Sequence, residues 1–548
     1  MPSRRREGHP LALFYLVAYD NNQNAKDALA HSDNRHHVWM REDGTLALDI
    51  GFNIRSRSSA ILATIGRNDT DIRLHRPSIS KLHCSFEIDL HTNVVMLHDR
   101  SFHGTTQVYG ENATPFEHQR QRQVVVQEDL NTVIGMGGAR RNLYQFELIW
   151  YRKPAESMEM VKNRQEISRG YEDPPSLIRT VFDEGDTEPP SRRETRPHTA
   201  GPRQKMRYAT IGPPLGSGQF GTVHKAVDAD TGKLMAVKIL RRPVAASGQD
   251  NWTPSQYHAL KREVEHLSEL DHPNIVDYIT SQGWDGPEVE IFMGLKAGTL
   301  KSLLESGNCP TVAESVFHHI LQALDCLAMK DIIHRDVKPE NILWVLLPDG
   351  QHQFQLGDFG LCNRAVTAFT TVGSPIFMAP EMLWKGEQTH KVDVWSLFVT
   401  MLWTLDAGGF RHMSRKFKSV GETQEAVQAA ASNLDVVSKI QEMAVVNPLE
   451  RASAAQMLVK CFNGAGLSTP RNRVPALIST PAVAAAERSP SPVSSSLAGR
   501  SAPKNLRRPE KNANMWTAQK RIEKARYPPR AQSPGLRSIR MGEGNASG

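Results

Sequence analysis

The chain has 548 residues, enough for about three domains of ordinary size, and 39% of them are hydrophobic, enough for more than one buried core. No run of 18 or more apolar residues occurs, so no membrane span is expected, and five scattered cysteines (Cys84, Cys309, Cys326, Cys362 and Cys461) without a CxxC pair argue against a disulfide frame or a zinc site. The formal charge of +7 is uneven: residues 465–548 carry 15 Lys/Arg against 4 Asp/Glu, a net of +11 that leaves −4 for the remainder.

The first 35 residues read as an N-terminal arm. Met1 to Arg6 is basic and Leu11 to Tyr19 is apolar, but the apolar run is short and no small-residue cleavage site follows it, so a signal peptide is not expected. The run predicts a strand or a loosely packed arm. From 36 to 152, short alternating stretches predict an all-β sandwich, among them Thr45–Ile50, Ser85–Ile88, Val94–Leu97 and Tyr144–Trp150. Residues 153–207 are rich in Arg, Glu, Pro and Thr, and read as a linker. From 208 to 462, strand-like runs come first. Helical periodicity dominates after Ala313, with Val316, Ile320, Leu324 and Leu327 on one face. The Pro348-Asp349-Gly350 turn predicts an extended hairpin. Residues 463–548 are Ser-, Pro-, Ala- and Arg-rich and read as a disordered basic tail. Ser489-Pro490, Ser491-Pro492 and Ser533-Pro534 in it suit proline-directed phosphorylation. A basic tail can also meet nucleic acid or importins. Its aromatics are limited to Trp516 and Tyr527, without interleaved stacking positions.

The most informative stretch is His334-Arg335-Asp336-Val337-Lys338-Pro339-Glu340-Asn341, followed by Asp358-Phe359-Gly360. It sets two carboxylates, an amide and a cation at the spacing phosphoryl transfer needs: one acid steers a hydroxyl, and the other, with the asparagine, holds magnesium on a nucleotide. Upstream, Leu215-Gly216-Ser217-Gly218-Gln219-Phe220-Gly221-Thr222-Val223 is a GxGxxGxV loop whose glycines let backbone amides approach phosphates. Strand-like sequence on both sides disfavours a dinucleotide-binding helix start. Lys238, in Ala236-Val237-Lys238-Ile239, is a cation inside an apolar strand and needs an anionic partner. Phosphates could supply one, and so could an acid on the helical stretch Lys261–Leu267, where Glu263 is preferred over Glu265.

Together these motifs resemble the eukaryotic protein kinase superfamily over residues 208–462, with a bilobal α+β fold. The resemblance implies ATP and Mg2+ as cofactors and proteins as substrates. It implies that Lys238 holds the α/β-phosphates and pairs with Glu263, that Asp336 orients the substrate hydroxyl, that Lys338 steadies the γ-phosphoryl, and that Asn341 and Asp358 bind magnesium. Leu215, Gly216, Ser217, Gly218, Gly221 and Val223 would cover the nucleotide, with Met293 as gatekeeper. Glu381 of Ala379-Pro380-Glu381 and Arg451 would form a structural ion pair, and Asp393 would brace the catalytic loop. Lys338-Pro339-Glu340-Asn341 is the serine/threonine form, with which Gly373-Ser374-Pro375 agrees. Arg335 calls for an anion, and a phosphate on Thr367, Thr370 or Thr371 of the activation loop would supply it. A pseudokinase scaffold is the alternative, opposed by the presence of Lys238, Asp336, Asn341 and Asp358.

Gly66-Arg67, Ser80-Lys81-Leu82-His83 and Asp99-Arg100-Ser101-Phe102-His103-Gly104-Thr105 resemble the forkhead-associated (FHA) domain. This is a β-sandwich that binds phosphothreonine peptides with its loops. A phosphate wants a guanidinium, a hydroxyl and backbone donors. Arg67 and Ser80 would supply the first two, Lys81 would assist, and His83 would brace the loop from below. His103 stands where the family has asparagine, so peptide affinity is expected to be weaker or differently selective. An FHA domain ahead of a serine/threonine kinase resembles the checkpoint effector kinases and their meiotic relatives. That implies a phosphothreonine-bearing adaptor, or a second copy of the kinase, as partner and a nuclear or cytoplasmic location.

Overall fold

The apolar run near the N-terminus is not a loose arm. It forms β1 (Ala12–Ala18), an interior strand paired on one side with β3 (Leu46–Gly51) and on the other with β11 (Tyr144–Trp150). A helix, Gln23–Ala30, follows and buries Ala25, Ala28 and Leu29. The sandwich therefore begins well before residue 36. An apolar strand with neighbours on both edges satisfies its backbone groups within the sheet and buries Leu13, Phe14 and Leu16. The computed structural model describes residues 8–118, 120–151, 205–218, 221–241, 254–307, 312–358, 375–383 and 388–477. The chain divides into two compact units, residues 1–251 with 279–295 and residues 252–278 with 296–548.

In the first unit the sandwich has two sheets. One runs in the order β2 (Val38–Met40), β3, β1, β11, β10 (Val133–Met136), β8 (Thr106–Tyr109). The other runs β5 (Ile72–Arg73), β4 (Ile61–Gly66), β6 (Cys84–Ile88), β7 (Val95–Asp99), β9 (Gln123–Val126). Phe14 and Phe86 meet edge-to-face at 5.1 Å in the core, beside Leu48, Leu97, Ile134 and Phe146. Each such buried side chain stabilises the fold by about 1.5–3 kcal/mol before ordering costs.

The same unit holds a sheet in the order β12 (Tyr208–Thr210), β14 (Gly221–Asp228), β15 (Leu234–Arg241), β17 (Glu288–Gly294), β16 (Tyr278–Gln282), with β13 (Gly216–Gly218) paired to β14. Val227, Ala229 and Leu234 of this sheet form one apolar cluster with Val94, Met96, Val125 and Leu130 of the sandwich. Residues 153–204 of the expected linker lie outside the described residues. Met206 and Arg207 belong to the folded unit: the Met206 amide donates to Gln282 and Arg207 pairs with Asp230.

The second unit is mainly helical. In the helix Ala313–Met329, Val316, Ile320, Leu324 and Leu327 are all buried, as their spacing predicts. The helix Lys391–Leu405 is buried on all sides from Val392 to Thr404, the pattern of a core helix. Its Ser396, Thr400 and Thr404 hydroxyls return hydrogen bonds to carbonyls four residues back. The expected hairpin is β19 (Ile342–Leu346) and β20 (His352–Leu356), turned by Leu347–Gly350; β18 (Gly298–Thr299) pairs with β19.

The expected tail boundary at residue 463 also moves. Residues 463–477 lie along the helical unit. Asp325, buried in the helix Ala313–Met329, accepts from the Ser468 amide, the Thr469 amide and the Thr469 hydroxyl at 2.8, 2.9 and 2.6 Å. Gln456 donates to the Pro475 and Ala476 carbonyls, and Leu467 and Leu477 pack on the core. A buried carboxylate needs donors, and this strap provides them. Residues 478–548, with the Ser-Pro dipeptides and most of the basic charge, lie outside the described residues. Cys84, Cys326 and Cys461 are free thiols. Among the described residues no helix is long and apolar enough to cross a membrane.

Candidate functional site

The loop 334–341 is held from beneath by one carboxylate. Asp393, wholly buried near the start of the helix Lys391–Leu405, accepts from the His334 amide at 2.8 Å and the Arg335 amide at 2.7 Å. Burial pushes its carboxyl above the ordinary value, while His334, Arg335 and the two amides act the other way. Arg335 sits at φ +67°, a left-handed conformation that costs a non-glycine residue about 1–3 kcal/mol. The Asp393 hydrogen bonds hold that turn. His334 Nε2 lies 2.9 Å from the Gly357 carbonyl, joining the loop to the residue before Asp358.

Asp336 is the centre of the resulting cluster. Its Oδ2 accepts from Lys338 Nζ at 2.7 Å and from Asn341 Nδ2 at 2.8 Å. Asn341 Nδ2 also donates to the Asp336 carbonyl at 2.8 Å. The amide hydrogens of Asn341 are thus turned to Asp336, leaving its Oδ1 as an oxygen ligand. The Gly357 amide donates to the Asn341 carbonyl at 2.8 Å, which brings Asp358 alongside. An amide oxygen and a half-buried carboxylate are hard oxygen donors and fit a divalent cation. That cation would supply charge neutralisation on phosphate oxygens.

The residues predicted to cover a nucleotide lie on the sheet of the first unit. Gly216–Gly218 and Gly221–Asp228 form a hairpin in which Gly216 faces Val223. Gly221 tolerates no side chain, since a Cβ there would lie 2.1 Å from the Ile239 carbonyl oxygen. Leu215 is exposed. Val223 pairs with Lys238 and Ala236 with Met293, so these four share a face of the sheet. Lys238 is buried. Glu263 falls on the helix Pro254–Ser268, but its side chain lies outside the described residues. Phe359, Gly360, Thr367, Thr370, Thr371 and Ser374 lie outside them as well. Arg335 Nε finds no hydrogen-bond partner among the described residues.

Glu381 and Arg451 form a fully buried bidentate pair, with Nη1–Oε1 at 2.6 Å and Nη2–Oε2 at 2.9 Å. The same guanidinium donates to the Lys391, Val445 and Val446 carbonyls and lies 5.2 Å from the Trp395 ring centre.

At one end of the sandwich, three loops are stitched together. The Arg67 amide donates to the Ser80 and Lys81 carbonyls, both at 3.0 Å. This close approach requires Gly66, where a Cβ would lie 2.0 Å from the Lys81 carbonyl oxygen. The Ser80 hydroxyl accepts from the Phe102 amide at 3.2 Å, adding the loop of His103. Arg67, Lys81 and His103 are exposed beside it. His83 is buried below, its Nδ1 accepting from the Ser80 amide at 3.2 Å and its Nε2 3.4 Å from the Thr105 hydroxyl. Burial lowers the imidazole pKa, favouring the neutral ring that this pattern requires.

Two residues in this region were not legible from sequence. Asp99 is buried and accepts at Oδ1 from the Ser101 amide, the Ser101 hydroxyl and the Thr106 hydroxyl. Its Oδ2 accepts from Arg122 at 2.8 Å. The Asp-x-Ser spacing was a usable signal for the first part of this network. Arg122, far along the chain, carried none.

The Asp336 cluster and the stitched loops of the sandwich lie in two separate regions of the chain, and each region matches a known family. The FHA domain family matches residues 63–128 and the protein kinase domain family matches residues 209–463. The chain thus carries an FHA domain followed by a protein kinase domain. It is 35% identical over 201 residues to the mitogen-activated protein kinase kinase kinase MST11 of Pyricularia oryzae, covering 33% of this chain and 21% of that protein. It is 32% identical over 190 residues to the serine/threonine-protein kinase DCLK2 of Homo sapiens, covering 34% and 24%. It is also 32% identical over 261 residues to the mitogen-activated protein kinase kinase kinase 3 of Arabidopsis thaliana, covering 45% and 41%. The chain thus spans between about a fifth and two fifths of these relatives.

Proposed function

We propose that this chain transfers the γ-phosphate of ATP, with Mg2+ on Asn341 and Asp358, to serine and threonine hydroxyls of proteins, and that its FHA domain directs it to phosphothreonine. The observation that carries the reading is the Asp336 carboxylate held by Lys338 and Asn341. Asp336 is positioned to orient a hydroxyl, and Lys338 to meet the charge of the transferred phosphoryl group. Lys238, Gly216 and Gly218 are the residues that the kinase resemblance assigns to nucleotide phosphates. Phosphate transfer from radiolabelled ATP to a serine/threonine peptide array tests it, and no transfer to any peptide would overturn it.

Arg67, Ser80 and Lys81 take the phosphothreonine phosphate, while His103 contacts the peptide backbone. In a phosphothreonine peptide-library pull-down, Arg67→Ala is expected to lose most of the retained peptide, because charge-assisted contacts dominate phosphate recognition. Equal retention by both proteins would exclude Arg67. The partner is then a phosphorylated adaptor or a second copy of the chain, concentrated locally for activation in trans.

The finer reading is a role in DNA-damage or meiotic checkpoint signalling in the nucleus or cytoplasm, supported by the order of the two domains. Activation would come from phosphate on Thr367, Thr370 or Thr371 meeting Arg335, whose Nε finds no partner among the described residues. DNA damage is expected to raise the activity of the wild type several-fold, and alanine at all three threonines to remove that rise. No rise in the wild type would overturn the checkpoint reading, and an undiminished rise in the variant would overturn the threonine switch.

A further inference from the structure

The segment 120–123, which leads into β9, grips two structures at once. Arg120 donates to Asp230 Oδ2 at 2.6 Å and Gln123 donates to the Asp230 carbonyl at 3.0 Å. Asp230 lies in the turn between β14 and β15 of the kinase sheet, and its Oδ1 is taken by Arg207. Between Arg120 and Gln123, Arg122 reaches the phosphopeptide loop. Its Nη2 donates to the Ser101 carbonyl at 2.5 Å and to Asp99 Oδ2 at 2.8 Å. The next residues along that loop are Phe102, His103 and Gly104. Four consecutive residues therefore link the loop proposed to read phosphothreonine with the hairpin that continues into the strands of Val223 and Lys238.

The contact around this segment is well built. Arg120, Arg207 and Asp230 have side chains only 12%, 14% and 14% exposed, so the ion pairs are largely shielded from solvent. β9 is the edge strand of its sheet, and its Val125 amide donates to the Ala229 carbonyl at 2.8 Å, covering part of an edge that would otherwise be open. Val94, Met96, Val125 and Leu130 meet Val227 and Ala229 beneath the ion pairs. Gly232, at φ +72°, lets the turn approach: a Cβ there would lie 2.8 Å from Met96 Sδ.

We propose that the turn 228–233 of the kinase sheet is the docking partner of the β7–β9 face of the FHA sandwich, and that this contact pre-organises the 101–104 loop for a phosphothreonine peptide through Arg120 and Arg122. The proposal rests on the phosphothreonine reading of the sandwich. Arg120, Arg122 and Asp230 are positioning residues, none of them touching the peptide. With the turn docked, segment 120–123 is fixed before the peptide arrives, and the loop needs less ordering on binding. With the turn released, that ordering falls on the binding step and affinity drops. Coupling of this kind is reciprocal, so a bound peptide tightens the hold of the sandwich on the kinase sheet by the same factor.

The test uses the full chain and a phosphothreonine peptide selected from a degenerate library by the wild type, titrated beside its unphosphorylated form. Asp230→Ala, remote from the peptide, is expected to weaken binding about five-fold or more. Asp230→Glu is expected to recover most of that loss, and Asp230→Asn gives a milder variant should Asp230→Ala fold poorly. Arg122→Lys is expected to weaken binding in the wild type but by a smaller factor in the Asp230→Ala background, since both act through one segment. Wild-type affinity in the folded Asp230 variants, or losses that simply multiply in the double variant, would overturn the coupling alone. No preference of the wild type for the phosphorylated peptide would overturn the phosphothreonine reading and the coupling with it.

Discussion

Replacing Asp336 with asparagine is expected to lower phosphate transfer by roughly 10²–10⁴-fold, the usual contribution of a positioned acid or base. The Asp336 carboxylate accepts from both Lys338 and Asn341, at 2.7 and 2.8 Å. An amide at this place offers hydrogens to groups that are themselves donors and cannot accept a proton from a substrate hydroxyl. Nucleotide affinity is expected to change much less, because Val223, Lys238 and Met293 are carried by other strands. The check is radiolabelled transfer to a peptide array, alongside ATP binding, for both proteins. Equal transfer would show that Asp336 has no part in the chemistry. A parallel collapse of ATP binding would assign it a structural role instead.

The second large effect is on stability. Arg451→Met is expected to destabilise the helical unit by about 3–5 kcal/mol, the cost of leaving a buried charge unpaired. For a unit of this size that lowers its melting temperature by roughly 6–20 °C. Arg451 is 0% exposed, and five acceptors surround its guanidinium: both Glu381 carboxylate oxygens and the carbonyls of Lys391, Val445 and Val446. Pairing Arg451→Met with Glu381→Met removes the stranded carboxylate and is expected to restore part of the loss. Recovery stays incomplete because the three carbonyls still lack their donor. Calorimetry of the single and double variants checks both statements. A single variant as stable as the wild type would mean that the pair is dispensable.

Residues close in sequence and tightly constrained in type were the legible ones. His334 to Asn341 is a local cluster, so its residues could be picked out from spacing, and the structure shows the expected brace from Asp393. The pairing of Val223 with Lys238 and of Ala236 with Met293 comes from the structure, since alternation gives a residue's face and not its partner on the next strand. The role of Leu11–Tyr19 was harder to read. An apolar run of strand length has the same composition in an arm as in a sheet centre, and only pairing with β3 and β11 distinguishes them. The tail boundary was misplaced for a similar reason. Residues 463–477 are polar and proline-containing, and what orders them is a carboxylate, Asp325, more than 140 residues earlier.

By itself the sequence determined which residue types stand together: two acids, an asparagine and two lysines at kinase-like spacing, and an arginine and a serine in FHA-like motifs. These are properties of residue type and local order, and short-range geometry is enough to express them. Only the tertiary structure decided which distant partners hold them. Asp393 beneath the catalytic loop and Arg451 on Glu381 were expected from the kinase resemblance and are found; Arg122 on Asp99, and Asp230 between Arg120 and Arg207, were not expected. Each is a buried or shielded charge whose partner must be nearby in space but can lie anywhere along the chain. Desolvation demands that such a partner exist, and nothing in composition or periodicity says where it is.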